Sequence, residues 1–335
     1  YEFDASYHAT SNRYDSDSVY LSDHKYNYFQ LEGWLGFNVN GQNFSPADES
    51  RRLRFLSGAR VIVQKFNHKP GIYQKNYNWQ FADLSGILAS FTFYRQNFFK
   101  TQFVYGFGIN EDIPEGLLFS FTSGFTIKEN LSRPFIGLNF QQYGFMKNQN
   151  YIDYTLRFEG YLNHKRIEDI NMLAAINYFD RLKSLSAKWK QRFFLSLSAS
   201  RQINAVLNEP LFINSKFAMP EYGSDYTGGD ARITAKAESA FFSPWSLMAF
   251  RFAPLLSYNL TAFSPFHDHL KLYSAIGAGI RTRNESLIFG TIELKGNYFP
   301  QRNFYNEKFN IELSTNIAFK LNTQFLRKPN FIEIN

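Results

Sequence analysis

His267-Asp268-His269 sets two imidazoles and a carboxylate within three residues, the groups that hold a divalent metal or relay a proton. Their spacing argues against that use. Residues two apart on a segment that reads as a loop form neither a helical nor a turn-locked ligand pair, so a solvated loop is the favoured reading. The other histidines are His8, His24, His68 and His164, and only His8 falls in a segment that reads as a strand. The chain has no cysteine, which removes disulfides, thiolate nucleophiles and thiolate metal sites. A Gly-x-Ser-x-Gly elbow, a phosphate-binding glycine loop and a zinc-protease helix motif are all missing. The expectation is therefore no enzyme, no cofactor and no metal. Asn130-Leu131-Ser132 and Asn284-Glu285-Ser286 match the glycosylation triplet and read as ordinary turn residues.

A second set of residues carries charge rather than reactivity. Arg157, Glu159, Arg192, Arg232, Lys236, Glu238, Arg251, Arg281, Arg283, Glu293, Lys295 and Lys308 recur on one side of otherwise apolar segments. Charges of both signs on a face turned away from apolar surroundings must pair or hydrogen-bond, because an unpartnered buried charge is costly. One use for them is a structural network within the face. The other is to grip a loop folded against it, as a plug or latch.

The elements that would position these charges are strands. In 308–322, Phe309, Ile311, Leu313, Ile317, Phe319 and Leu321 alternate with Lys308, Asn310, Glu312, Ser314, Asn316, Lys320 and Asn322. A period of two with one apolar and one polar face is a β-strand signal. The pattern recurs in 151–163 and 187–200, and less strictly in 1–10, 29–40, 53–65, 87–96, 100–109, 117–128, 135–145, 167–179, 231–242, 247–258, 272–283 and 286–299. These make about fifteen candidates, joined by turn residues such as Asn148-Gln149-Asn150, Asn163-His164 and Ser243-Pro244. Longer polar links are 11–26, 42–52, 67–78 and, longest, 204–230.

Length and composition agree. The chain of 335 residues is 19% aromatic, with 38 Phe and 21 Tyr, yet its mean hydropathy is negative. Alternating strands with aromatic girdles produce both properties. No run approaches the roughly 20 apolar residues of a membrane helix, so a closed barrel is the spanning solution left. The expected fold is all-β: a single-domain transmembrane antiparallel barrel over 1–335, of about 16 strands, with 14 the alternative. A soluble β-sandwich is the rival, with shorter strands and its polar face outward. The net charge of +7 suits anionic lipid headgroups or acidic partners, or reflects basic loops; no motif points to nucleic acid. Without an initiator Met, a basic stretch or an apolar leader at Tyr1, the chain reads as a mature or trimmed product.

Three stretches resemble the barrels of the BamA/TamA outer-membrane assembly superfamily: 105–116 (YGFGINEDIPEG), Gly228-Gly229-Asp230-Ala231-Arg232 leading to Glu238, and 277–285 (GAGIRTRNE). The resemblance implies a sixteen-stranded barrel in the bacterial outer membrane, a long loop folded into the lumen and followed by five strands, and a weak seam between the first and last strands. Such a seam is an exposed edge that can template another strand. Family members carry Arg-Gly-Phe/Tyr at the loop tip, held by an Asp on a following strand. Here the tip reads Glu221-Tyr222-Gly223-Ser224-Asp225-Tyr226, and the strand position reads Asn259. Losing both halves fits a divergent, non-inserting relative or a rebuilt latch.

On this reading Gly228, Gly229, Arg232, Glu238, Arg251, Asn259, Arg281, Arg283 and Glu293 hold the long loop in the lumen. Phe309, Ile311, Leu313, Ile317 and Phe319 mark the seam strand. The expected function is non-enzymatic help in assembling, inserting or translocating surface proteins. Its partners would be outer-membrane lipid, client or partner membrane proteins, and periplasmic or lipoprotein subunits. The alternatives are an accessory barrel of an export or assembly complex and a plugged diffusion pore.

Overall fold

The computed structural model describes residues 1–10, 25–39, 53–104, 106–108, 110–223, 227–266, 268–284, 291–301, 308–315 and 328–335, apart from the side chain of Ile72. Alternation of apolar and polar residues leaves each segment one way to bury its polar half, and the result is a single antiparallel sheet of 17 strands. Its first eight strands are β1 (Glu2–Ala9), β2 (Asn27–Asn38), β3 (Arg54–His68), β4 (Leu84–Thr101), β5 (Glu111–Lys128), β6 (Leu131–Phe145), β7 (Tyr151–Asn163) and β8 (Arg166–Phe179). They are followed by β9 (Lys183–Ser184), β10 (Lys190–Ile203), β11 (Leu211–Phe212), β12 (Gly228–Phe242), β13 (Ser246–Leu247), β14 (Phe250–Pro265), β15 (Lys271–Asn284), β16 (Ile292–Tyr298) and β17 (Phe309–Ser314). Three of these, β9, β11 and β13, are two-residue pairings at the ends of β10, β12 and β14. The other fourteen have six residues or more and pair in chain order as a meander.

The fifteen segments expected from alternation map onto these fourteen with one correction. Segment 100–109 is not a strand: β4 runs on to Thr101, and the chain then turns inward. Phe103, at φ 60, and Gly108, at φ 101, lie outside the extended region. Val104 and Phe107 are fully buried beside Phe242, so the apolar spacing there served packing and not a pleat. Of 286–299, the strand is described from Ile292 to Tyr298, and 285–290 lie outside the described residues. Of 308–322, β17 ends at Ser314, and 316–327, with Ile317 and Phe319, lie outside them as well.

The two faces of the sheet have opposite chemistry. On β10, Arg192, Ser198, Ser200 and Gln202 are buried, while Leu197 is 42% exposed; on β12, Arg232 and Thr234 are buried while Ile233 is 65% exposed. The long strands from β3 to β15 other than β6 repeat this, with large apolar residues such as Ile87, Phe125, Leu156, Ile176, Leu256 and Ile276 turned to the outside. The polar half is therefore the interior, the reverse of a water-soluble sandwich.

The sheet must be strongly curved to have an interior. Residues 328–335 run from contacts with β2 and β3 to contacts with β12. In a flat sheet those strands would stand about 38 Å apart at about 4.8 Å per step, whereas seven residue steps reach at most about 25 Å. The segment is a chord across a concave face. Among the described residues, eighteen residue pairs join β4 to β5, seven join β15 to β16 and six join β16 to β17, the last two bordering stretches outside the described residues. Among the described residues no pairing joins β1 to β17.

Where the long 204–227 connection enters β12, the register with β14 shifts between Gly229 and Ala231. A Cβ on Gly229 would lie 2.2 Å from the Ser264 carbonyl oxygen. Gly229→Val is accordingly expected to destabilise the protein by about 1–3 kcal/mol, measured by urea titration of intrinsic tryptophan fluorescence.

Candidate functional site

The concave face is lined by residues that alternation sends inward, and three inserted segments lie against it. The long connection is fixed first at its start. A bulge in the β7–β8 register turns Asp169 inward at φ 51. Its fully buried carboxylate accepts hydrogen bonds from the amides of Val206 (2.5 Å) and Leu207 (3.0 Å) and pairs with Arg133 at 2.7 Å. Glu168 holds the same guanidinium at 3.0 Å. From there the connection descends into the concavity: Ile213, Met219 and Tyr222 are buried against Ala275 and Phe299.

At its deepest turn the side chain of Asn259 on β14 donates to the Glu221 carboxylate, and Asn310 of β17 donates to the Glu221 carbonyl at 3.2 Å. The two positions singled out in the sequence thus meet. The loop supplies the carboxylate and the strand supplies the amide, the reverse of an Arg held by a strand Asp. Ser198 and Lys236 add hydrogen bonds to the carbonyls of Phe217 and Lys216, at 2.6 and 3.3 Å.

A second insert, 102–110, fills the other end. Glu111 accepts from the amides of Val104 and Gly106, Arg192 donates to the Gln102 carbonyl at 3.0 Å, and Arg251 donates to the Phe107 carbonyl at 3.1 Å. Arg251 therefore serves this insert and not the long loop.

The third insert is 328–335. Lys328 pairs with Glu32, and Arg60, itself 2.8 Å from Glu32, donates to the Pro329 carbonyl (3.2 Å) and to Asn330 Oδ1 (2.6 Å). Phe331 meets Phe135 edge-on at 5.1 Å. The Ile332 amide donates to Glu159 at 2.8 Å, and Arg157 donates to the Glu333 carbonyl at 2.6 Å. Arg232 donates to the Ile334 carbonyl, to Asn335 Oδ1 (3.0 Å) and to the Phe212 carbonyl (2.5 Å), which joins this segment to the long loop. Ile334 is buried among Leu173, Leu211 and Phe263. Between the segment and the inner face of β4 to β7 remains a cavity of about 530 Å³, edged by Ser90, Thr92, Ser120, Thr122 and Asn139.

The remaining expected residues do different work. Arg281 is fully buried, 2.6 Å from Glu293 and 2.8 Å from Glu238, and the three form a network that ties β12, β15 and β16 together. Gly228 packs against Pro210 and Phe266. Arg283 is half-buried with its Nε unpartnered among the described residues. Phe309, Ile311 and Leu313 are exposed on β17, Ile311 to 77%. Asp268 pairs with Lys271 at 2.5 Å on the surface, and His267 lies outside the described residues. No group of three metal-binding side chains occurs among the described residues.

Sequence reading missed the 328–335 segment, together with Arg60, Glu32, Arg133 and Asp169. Alternation within β2, β3 and β6 marks Glu32, Arg60 and Arg133 as inward. Asp169 could not be found that way, because the bulge breaks the period. No protein-family model matches the chain, and no curated protein matches it.

Two outcomes follow from the charges. Arg281→Met leaves two inward carboxylates without their cation and is expected to cost about 3–5 kcal/mol; adding Glu238→Gln and Glu293→Gln should recover most of it, read from paired urea titrations. In the long connection, burial pushes the Glu209 carboxyl above its ordinary value of 4.5, against a hydrogen bond from Asn335 and the charges of Lys128 and Arg232. A carboxyl whose pKa rises on folding favours the folded arrangement below its ordinary value. It loses that preference as pH rises through the folded value. Glu209→Gln should therefore stabilise the protein at neutral pH and flatten the decline in stability from mildly acidic to neutral pH, followed by thermal unfolding across that range.

Proposed function

We propose that the chain is a β-barrel of the bacterial outer-membrane type that assists the assembly, insertion or translocation of other surface proteins without covalent chemistry. The observation that carries the membrane part is the exposed apolar face. Contiguous apolar surface on this scale is not left to water by a soluble monomer, and hydrocarbon is the solvent that suits it. Burial of Arg192, Arg232, Arg281 and Glu293 on the opposite face follows from the same partition.

The two terminal strands direct this reading to the edge of the sheet. β1 and β17 are strands of eight and six residues, and each has a described partner on one side only. An edge with unpaired donors and acceptors can accept a client strand. The five strands of six or more residues that follow the 204–227 connection, and the contact of its Glu221 with Asn259 and Asn310, support the likeness to assembly barrels. A second reading is favoured by the 328–335 segment: it ties β2 and β3 to β12 across the concavity, which opposes opening and suits an accessory barrel with a fixed seam.

Leu197→Arg should cost about 2–4 kcal/mol for protein unfolded from lipid vesicles, as a cation at mid-bilayer does. A change within about 0.5 kcal/mol, as on a wet surface, would remove the membrane reading. For the edge, cysteines can be paired between Phe3, Ala5 or Tyr7 on β1 and Phe309, Ile311 or Leu313 on β17, since the chain contains no other cysteine. Oxidation of a pair that cross-links should abolish insertion of a client barrel into vesicles. Insertion undiminished by the cross-link would remove the edge as the insertion site, and no insertion even without the cross-link would decide for the accessory reading.

A further inference from the structure

Four of the contacts that hold residues 328–335 are directed at its backbone. Arg60, Arg157 and Arg232 donate to the carbonyls of Pro329, Glu333 and Ile334, and Glu159 accepts from the amide of Ile332. These atoms belong to any extended chain. Side-chain contacts accompany them: an ion pair of Lys328 with Glu32, an aromatic ring against Phe135, an aliphatic side chain among Leu173, Leu211 and Phe263, the Asn330 amide on Arg60, and the Asn335 amide on Arg232, Phe212 and Pro210.

Extended peptides are ordinarily recognised by a sheet edge, whose own amides and carbonyls read the partner. Here the concave face performs the same reading with side chains. Guanidinium donors and a carboxylate acceptor replace the missing ladder, and charge-assisted bonds of this kind are about twice as strong as neutral ones. The register is set by two apolar sockets three residues apart, those of Phe331 and Ile334.

We propose that the inner face of β3, β6, β7 and β12 is a binding site for extended polypeptide, occupied in this structure by the chain's own 328–335 segment. Its ligand class is an unfolded segment with an aromatic residue, an aliphatic residue three positions later and few constraints between. The proposal rests on the barrel reading for the enclosure of the site and names what that barrel would handle. Occupancy by the internal segment makes it self-limiting: a client must displace 328–335, so binding and opening of the lumen are one event.

The test uses the chain ended at residue 327, in detergent or vesicles, and fluorescent octapeptides followed by anisotropy. The peptide KPNFIEIN and an unrelated octapeptide that keeps only the aromatic, aliphatic and final Asn positions should both bind saturably, within about tenfold of each other. Methylating the amide nitrogen at the Ile332 position should weaken either by about tenfold or more, since Glu159 then lacks its donor. Arg157→Ala should weaken both peptides alike. Binding of KPNFIEIN alone would make the segment a private strap and overturn the proposal, as would no binding at all. Should the shortened chain fail to fold, the full chain carrying Asn335→Cys with an attached fluorophore gives the same answer. The unrelated peptide in excess should release the label into solvent, and an unchanged signal would overturn the proposal. Peptide binding by a chain that inserts no client, cross-linked or not, supports this inference while removing the assembly reading.

Discussion

A charge that leaves water must find a partner, and this chain directs its charges inward. Arg281 between Glu238 and Glu293, Arg133 between Glu168 and Asp169, and Arg60 beside Glu32 are each buried ion pairs on the concave face. Taking one such ion out of water carries a penalty of several kcal/mol that only close geometry repays. That constraint accounts for the curvature and the filling together. A flat sheet would leave these groups facing solvent and its apolar face without a matching one. A curved sheet with an empty centre would leave carbonyl-seeking guanidiniums unpartnered. Folding three segments inward supplies carbonyls, amides and carboxylates where the strands cannot.

The three inserts divide the interior by chemistry. At one end Val104 and Phe107 join Phe179, Phe194 and Phe242 in an apolar cap; at the other Met219 and Tyr222 pack on Phe299. Between them the face is hydroxyl- and charge-rich, and residues 328–335 cross it without joining the sheet. The ends are closed by dry contacts that resist exchange with water, whereas the middle is held by polar contacts that another polar chain can replace one for one. If the interior rearranges, it will do so in the middle, and Arg232 is the natural pivot because it bridges the long connection and the crossing segment.

Strand alternation made most of the sheet legible in advance. Its period fixes which side of the chain is apolar, and thirteen turns or links then follow from where it lapses. The lapses are also where reading failed, for definite physical reasons. In 100–109, Phe103, Val104 and Phe107 resemble a strand by spacing, yet two residues at positive φ fold them into the interior. Asp169 is displaced by a bulge that no period reveals. The polarity of the Glu221–Asn259 contact was visible as two residues out of place. That they compensate each other required the fold, since they lie 38 residues apart. The inward charges were legible as a class, but their partners were not: Arg251 and Arg232 look alike in sequence and hold different inserts.

The crossing segment shows most sharply why sequence could not assign a site. Residues 331–335 carry no charge pattern or motif that sets them apart from an ordinary strand, and Pro329 reads as a break. What gives them meaning is the face opposite, where Arg60, Arg157, Glu159 and Arg232 sit on three strands separated by as many as six others in the meander, each at an inward position and each directed at a main-chain atom. Three strand registers have to agree for those contacts to form along one segment. A structural strap would need only its two ends fastened. Backbone contacts at Pro329, Ile332, Glu333 and Ile334 suit a track that reads main chain, with the sockets of Phe331 and Ile334 setting which chains can lie in it.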